Sequence, residues 1–342
     1  MTAKIPSIQS AALIKDPGPN ARIESRHDYP VPQPGKNEVL LKMECSGICY
    51  SDIYVYTGNN PHYEEVPCHE GVGKVVQLGS DVADTLLGQR VGLGWIYSVC
   101  GKCYNCTAGR DNWCVSQANT GTDKPGTMQQ YVVANADYLM PIPDGLSSTH
   151  AAPFLCGGIT MAGALSLCDD AFGEGDTLVI SGSGGGLGHL GLQLASHMRK
   201  KHVKIIAIDA GATKKSFSLD VVQKVAELTG GKGADVAIVV PAATEAFDQV
   251  VKYLKSTGTM ICAGITRTDC RLPISPTELE YRGLVIKGCH VGTEKQLKEL
   301  LGAAGRKEVV PRVEVFDFKT GELFERIKRG DVVGRFVVEI PQ

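Results

Sequence analysis

The chain has 342 residues, 43% of them hydrophobic and 21% charged, with 35 basic side chains against 37 acidic ones. At ~100–200 residues per domain this length asks for two cores and not one. Balanced charge excludes a strongly basic nucleic-acid binder, and with neither an apolar run of about 18 residues nor an apolar leader in MTAKIPSIQSAALIKDPGPN, the sequence reads as a cytoplasmic protein without membrane or nucleic-acid partners.

From residue 1 to about 155 the chain carries short β-rich runs, Val39–Met43, Val72–Leu78 and Tyr131–Val133, broken by Gly and Pro. From about 156 to 295 the pattern changes to strand–helix alternation. Thr177–Ser181 and Val203–Asp209 read as strands, and Leu187, Leu190, Gly191, Leu194 and Met198 form a helical stripe between them. Further strands are expected at Ala234–Val240, Thr259–Ala263 and Leu284–Gly288, with helices near Ser218–Thr229 and Glu245–Leu254, before the tail returns to strands, clearest at Phe336–Ile340. Alternation of this kind predicts an α/β fold with a parallel sheet.

Most of the twelve cysteines lie in the first half, and in an intracellular chain of this length they point to metal binding or catalysis and away from disulfides. Cys100, Cys103, Cys106 and Cys114 follow C-x2-C-x2-C-x7-C, which lets four thiolates surround one zinc ion with no position left open. Such a site is structural, and redox CxxC pairs are the weaker alternative. A second set is dispersed: Cys49 in SGICYSD, His69 and Glu70 in CHEGVG, and Cys156 in FLCGGIT. Two thiolates and an imidazole would leave a fourth zinc position for water or substrate, as catalytic zinc requires. Taken alone, these residues fit buried core cysteines and a satisfied core histidine better, and spacing does not separate the two readings.

Strand Thr177–Ser181 runs into Gly182-Ser183-Gly184-Gly185-Gly186-Leu187-Gly188, five glycines in seven residues, and then into a helix. Backbone can approach a phosphate closely in such a turn, and Asp209, 21 residues after Gly188, stands where a carboxylate would accept hydrogen bonds from a ribose, favouring NAD over NADP. A flexible glycine linker is the alternative.

Taken together, GICYSD, CHEGVG, the four-cysteine loop, FLCGGIT, the glycine turn and VGRFVVEI resemble the zinc-containing medium-chain alcohol dehydrogenases, most closely the yeast and bacterial branch whose members are commonly tetramers. The resemblance implies a GroES-like, mostly-β catalytic domain from residues 1–155 and 296–342, a Rossmann-type NAD domain from 156–295, and an active site in the cleft between them. It implies two zinc ions per chain, NAD, and a small alcohol or aldehyde substrate. Cys49, His69 and Cys156 match the catalytic zinc ligands, and Glu70 matches a carboxylate behind the metal. Asp52 would orient His69 and Ser51 would receive the alcohol's proton. Thr160, Gly185, Gly186, Leu187, Asp209, Lys214 and Arg335 match cofactor contacts, with Arg335 facing the pyrophosphate, while Tyr56 and Trp95 match bulky positions of the substrate pocket.

Three positions depart from the pattern. Tyr54 stands where a histidine commonly ends the proton relay, and a phenol is a poorer shuttle than an imidazole at neutral pH. Tyr50 replaces a basic or imidazole group at the pyrophosphate. Only 24 residues separate Asp209 from Ala234, too few for the helix–strand–helix the family usually has, so one βα unit at the sheet edge is expected to be missing or omitted. The same features leave room for a specialised biosynthetic aldehyde reductase, or for a non-catalytic protein whose cofactor domain has degenerated.

Overall fold

A computed structural model describes residues 4–197, 203–209, 220–266 and 269–342. In chain order the elements begin β1 (Ile8–Lys15), β2 (Arg22–Pro30), β3 (Glu38–Ile48), α1 (Tyr50–Tyr56), β4 (Glu70–Leu78), β5 (Arg90–Leu93), β6 (Ile96–Ser98), α2 (Tyr104–Thr107), β7 (Ala118–Asn119), β8 (Tyr131–Asn135), β9 (Leu139–Pro141) and α3 (Ser148–Ala151). They continue α4 (Gly157–Ser166), β10 (Thr177–Ser181), α5 (Gly188–His197), β11 (Lys204–Ile208), α6 (Val221–Leu228), β12 (Ala234–Val239), α7 (Thr244–Tyr253), β13 (Leu254–Cys262), α8 (Pro276–Arg282) and β14 (Val285–Gly288). The chain closes with α9 (Glu294–Gly305), β15 (Val313–Phe316), α10 (Gly321–Lys328) and β16 (Arg335–Glu339). Contacts divide it into two compact units, Met1–Gly157 with Thr293–Gln342, and Gly158–Gly292.

The first unit is mostly β. Among the described residues its main sheet runs β15-β16-β3-β4-β5-β9, with β8 also paired to β3. β3 is its axis: hydrophobic on both faces, it is buried at nearly every position and pairs antiparallel with β4, β8 and β16. The pairing of Phe336 with Ile48 and Val338 with Ser46 explains why this unit needs both ends of the chain. Leu41, Met43, Ile53, Leu93, Met128, Phe324 and Phe336 fill the core beneath it. Burial of each such side chain contributes roughly 1.5–3 kcal/mol.

The second unit is a parallel sheet. Among the described residues it has five strands in the order β11-β10-β12-β13-β14. Among the described residues this is the doubly wound order without its third strand, in line with the short interval after Asp209. β10 and β12 are buried at every residue because helices cover both faces, whereas β11 and β14, at the two edges, are partly exposed along most of their length. On α7, Phe247, Val250, Val251 and the following Leu254 lie at i, i+3, i+4 and i+7 and pack on Val179, Ala237 and Met260. α6 is opened by Asp220, whose carboxylate accepts the N–H groups of Val222 and Gln223. Met198, Ser218 and Leu219 of the expected helices lie outside the described residues.

Candidate active site and metal centres

The register of β3 with β4 sets Gly47 opposite Glu70, and so carries Cys49, just past β3, and His69, just before β4, to the same end of the ribbon. Cys156 arrives from the end of a 3-10 turn, Ala152–Leu155. Its Sγ lies 3.6 Å from Cys49 Sγ and 3.3 Å from His69 Nε2. Donor atoms tetrahedrally placed around zinc at ~2.3 Å for sulfur and ~2.0 Å for nitrogen are separated by about 3.5–3.8 Å, so these spacings suit that ion. Donor atoms of Cys49, His69, Glu70 and Cys156 all lie within 4.8 Å of one another.

Asp52 organises the cluster from behind. Its Oδ2 accepts the Cys49 N–H at 2.7 Å, and its Oδ1 accepts the Cys68 N–H at 3.2 Å and stands 3.4 Å from His69 Nδ1. A carboxylate on Nδ1 leaves Nε2 for the metal. Burial works against a charged His69, but the Asp52 carboxylate and the Cys49 thiol outweigh it and lift the imidazole to about 9. Hydrogen bonding to Cys156 holds Cys49 well below the ordinary thiol range despite burial, and the same contact, with burial, pushes Cys156 well above it. Ser51 Oγ is 3.5 Å from His69 Nε2, and Trp95 meets the imidazole edge-on with ring centres 4.9 Å apart.

Glu70 is fully buried and its carboxylate is in ion-pair contact with Arg335, itself 4% exposed. Gly47 makes room for it, because a Cβ there would overlap Glu70 Oε2. Arg335, matched by resemblance to the pyrophosphate, thus has its guanidinium on Glu70; β16 places it one residue before Phe336, the partner of Ile48. Tyr56 also has a different place from the one expected. Five residues beyond Ser51 on α1, it is turned about 140° round the helix. It lies in the core against Phe324, its hydroxyl donating to Ala21 O at 2.7 Å and Glu325 Oε1 at 3.0 Å, which corrects the substrate-pocket expectation. Tyr50 is exposed and Tyr54 half-buried.

The four-cysteine loop closes on itself. Cys103 Sγ is 3.5 Å from Cys106 Sγ and Cys114 Sγ 3.6 Å from Cys100 Sγ, all four being free thiols. Backbone N–H groups point at the sulfurs: Cys103 N–H at Cys100, and Cys100 N–H and Ser116 N–H at Cys114, each at 3.3 Å. N–H groups of Cys106 and Val115 lower Cys103 to about 6. Desolvation and the neighbouring thiols push Cys106 up to about 12, so zinc would displace its proton; four converging sulfurs with amide donors suit a closed zinc site.

In the second unit β10 leads through the glycine turn into α5. Gly182 has φ of +81° and a Cβ on it would sit 2.8 Å from both Pro241 Cγ and Val240 Cγ2, so only glycine fits. N–H groups of Gly182 and Ser183 both bond to Ile208 O at 2.8 and 2.9 Å, and Asp209 accepts the Gly184 N–H. Gly185, Gly186 and Leu187 are half-buried and lead into α5, and the N–H groups of His189, Leu190 and Gly191 already bond to Gly185 O and Leu187 O, so the glycine turn itself is where the backbone could meet a phosphate. A dinucleotide phosphate fits such a cradle. Thr160 is buried on α4 and its carbonyl accepts the Cys289 thiol at 3.5 Å. Lys214 lies outside the described residues. Cys68, to which the sequence gives no role, turns out to touch Asp52; its unusual backbone leaves no mark in composition or spacing.

Two family models match the chain: the Alcohol dehydrogenase GroES-like domain over residues 35–144, and the Zinc-binding dehydrogenase over residues 186–305. An alcohol dehydrogenase of Moraxella sp. (strain TAE123) is 34% identical over 348 residues, covering 96% of this chain and 98% of its own length. Another, from Rhizobium meliloti (strain 1021), is 35% identical over 347 residues, covering 97% and 98%. The chain belongs to the zinc-containing medium-chain alcohol dehydrogenase family. The fold of this dehydrogenase is likewise similar to that of acetophenone reductase from Geotrichum candidum, solved in complex with NAD, at a TM-score of 0.83 and 26% identity over 98% of each chain. It combines a GroES-like unit with a Rossmann-type sheet. Among the described residues no single helix is long and apolar enough to cross a membrane.

Proposed function

We propose that this dehydrogenase carries out the reversible, NAD-linked oxidation of a small primary or secondary alcohol to an aldehyde or ketone, with Cys49, His69 and Cys156 holding catalytic zinc and Glu70 near enough to join them. The observation that supports this reading most strongly is the convergence of two sulfurs and one imidazole nitrogen, from three distant stretches of chain, at 3.6 and 3.3 Å in front of Asp52. Bound there, zinc supplies Lewis acidity that takes coordinated water from about 15.7 to about 7 and a coordinated alcohol comparably.

The chain's own residues do the rest. Ser51, beside His69 Nε2, is the hydroxyl that takes the substrate's proton, and Trp95 screens the imidazole from water on one side. Asp52 fixes the His69 tautomer. Glu70, held by Arg335, keeps a carboxylate in reserve behind the ligands. The stretches Met1–Gly157 and Thr293–Gln342 form the catalytic part, and Gly158–Gly292 binds NAD through Thr160, Gly185, Gly186, Leu187, Asp209 and Lys214. Cys100, Cys103, Cys106 and Cys114 hold a second, structural zinc. A cytoplasmic homo-oligomer, tetrameric as in the branch it resembles, fits the open edge of β14, where Val285 and the neighbouring Tyr281 are 42% and 85% exposed.

Cysteine substitutions separate the two metal roles. With a panel of primary and secondary alcohols and NAD, the wild-type protein turns over with saturation, and Cys156→Ala lowers the rate about 10³-fold or more while melting near wild type. Cys103→Ala lowers stability by more than about 4 kcal/mol. Turnover retained by Cys156→Ala, or the same loss of stability in both variants, contradicts the assignment.

A further inference from the structure

We propose that Gly92 and Leu155 are positioning residues for Cys156: a face of β5 bare of side chains seats Leu155, and so sets the distance between Cys156 and His69. This rests on the reading of Cys49, His69 and Cys156 as the catalytic metal site. Cys49 and His69 flank two paired strands, β3 and β4, whose register fixes them. Cys156 follows a 3-10 turn and takes its position from some other support.

β5 supplies it. Side chains alternate across a strand, so Val91 and Leu93 share one face while Gly92 and Gly94, the latter one residue past β5, share the other. Val91 and Leu93 are completely buried in the core of the first unit. On the glycine face Leu155 takes up the space. A Cβ on Gly92 would lie 2.5 Å from Leu155 Cδ2, 3.0 Å from its Cδ1 and 3.2 Å from Ile142 Cδ1, and a Cβ on Gly94 would lie 3.0 Å from Leu155 O. Neither glycine has a positive φ, so close approach, and not turn geometry, calls for glycine here. Leu155 is 2% exposed, which leaves its δ carbons little room to turn away.

The same strand carries the other ligand. β5 pairs antiparallel with β4, Leu93 standing opposite Gly71. Continued by one and two residues, that register sets Gly94 beside Glu70 and Trp95 beside His69, in keeping with the edge-on contact of the Trp95 and His69 rings. β5 therefore fixes His69 through its pairing with β4 and Cys156 through Leu155, and the 3.3 Å between His69 Nε2 and Cys156 Sγ is the outcome. Adjacent Cα atoms are held about 3.8 Å apart by the peptide bond, so a shift of Leu155 passes directly to Cys156. Metal–ligand distances tolerate only about 0.2 Å, so even a small displacement matters.

Variants of the full, zinc-loaded chain test this: Gly92→Ala, Leu155→Ala, the two combined, and Val39→Ala, a truncation of a fully buried side chain at the end of β3 remote from Cys49. The readouts are the rate at which the labile zinc passes to a chromogenic chelator, the ligand-field spectrum after cobalt replaces that zinc, kcat, KM and melting temperature. Gly92→Ala pushes Leu155 off its seat, and Leu155→Ala leaves the seat empty. Each is expected to release zinc about tenfold faster, the lower end of the effect of losing support behind a metal ligand, with an altered cobalt spectrum and a lower kcat at KM within about twofold. In the combined variant the new methyl meets no δ carbon and fills part of the gap, so release is expected to return to within about threefold of wild type. Val39→Ala lowers the melting temperature but leaves release and spectrum as they are in wild type. Unchanged release and spectra in both single variants overturn the proposal. So do losses that add in the combined variant, or release that follows melting temperature in every variant, Val39→Ala included. If Leu155→Ala fails to fold, Leu155→Val takes its place under the same criteria. A wild-type chain without labile zinc contradicts the reading of the site itself, before any variant is compared.

Discussion

Asp52 is where the chemistry of single residues converges. One buried carboxylate receives two backbone N–H groups and faces His69 Nδ1, and its charge does most to raise the imidazole against the opposing effect of burial. The shift has a definite sign. A histidine lifted from its ordinary value to about 9 holds its proton at neutral pH, and Cys156, raised beside Cys49, holds its own. Zinc must displace both, so its uptake by protein from which only the labile ion has been removed should release about two protons at pH 7. Affinity should therefore climb as pH rises from 7 towards 9 and fall on acidification. Calorimetric titration in buffers of different ionisation enthalpy measures this directly; a binding heat independent of the buffer is incompatible with it. Legibility at this scale was uneven. The spacing of Cys100, Cys103, Cys106 and Cys114 announces a metal, because their loop is short and local. Cys49, His69 and Cys156 carry no such spacing and were recognisable only through resemblance. Cys68, buried with φ of +75°, was invisible, since a left-handed backbone at a residue other than glycine is imposed by its neighbours.

Elements explain what isolated residues do not. β3, β4 and β16 lie side by side, and their register brings Gly47, Glu70 and Arg335 together although Arg335 is 265 positions from Glu70 in sequence. The Glu70–Arg335 pair is buried almost completely, so removing one partner leaves the other charge unpaired. Arg335→Met is expected to destabilise the zinc-supplied protein by about 3–5 kcal/mol, and Glu70→Met/Arg335→Met to recover most of that loss. Urea unfolding of the two single variants and the double variant reads the coupling; additive losses contradict a direct pair. Where one face or both faces of an element are buried by regular packing, its bounds could be read from the pattern: β10 falls at Thr177–Ser181 as expected and α7 is displaced by one residue. β13 begins five residues earlier than expected, at Leu254, because a register shift against β12 and the turn at Thr257 interrupt its alternation.

At the scale of the molecule, the second unit shows what a shortened sequence does to a doubly wound sheet. Strand order and parallel pairing survive, β11 is the edge among the described residues, and the turn that can receive phosphate stays between the two strands that shape it, β10 and β11. That outcome followed from counting residues after Asp209, because a strand and two helices need more chain than the interval provides. The mixed sheet of the first unit was harder to foresee. Its pairings join segments more than 200 residues apart, such as β3 with β16, and long-range register leaves little trace in local pattern. Both zinc assignments lie within that unit, which makes metal content the most direct test. Zinc measured per chain, before and after mild chelation and alongside alcohol turnover, should start at about two, fall to about one as turnover disappears, and return with turnover when zinc is restored. One zinc per chain at the outset, or turnover that survives loss of the labile ion, would contradict catalysis at Cys49, His69 and Cys156.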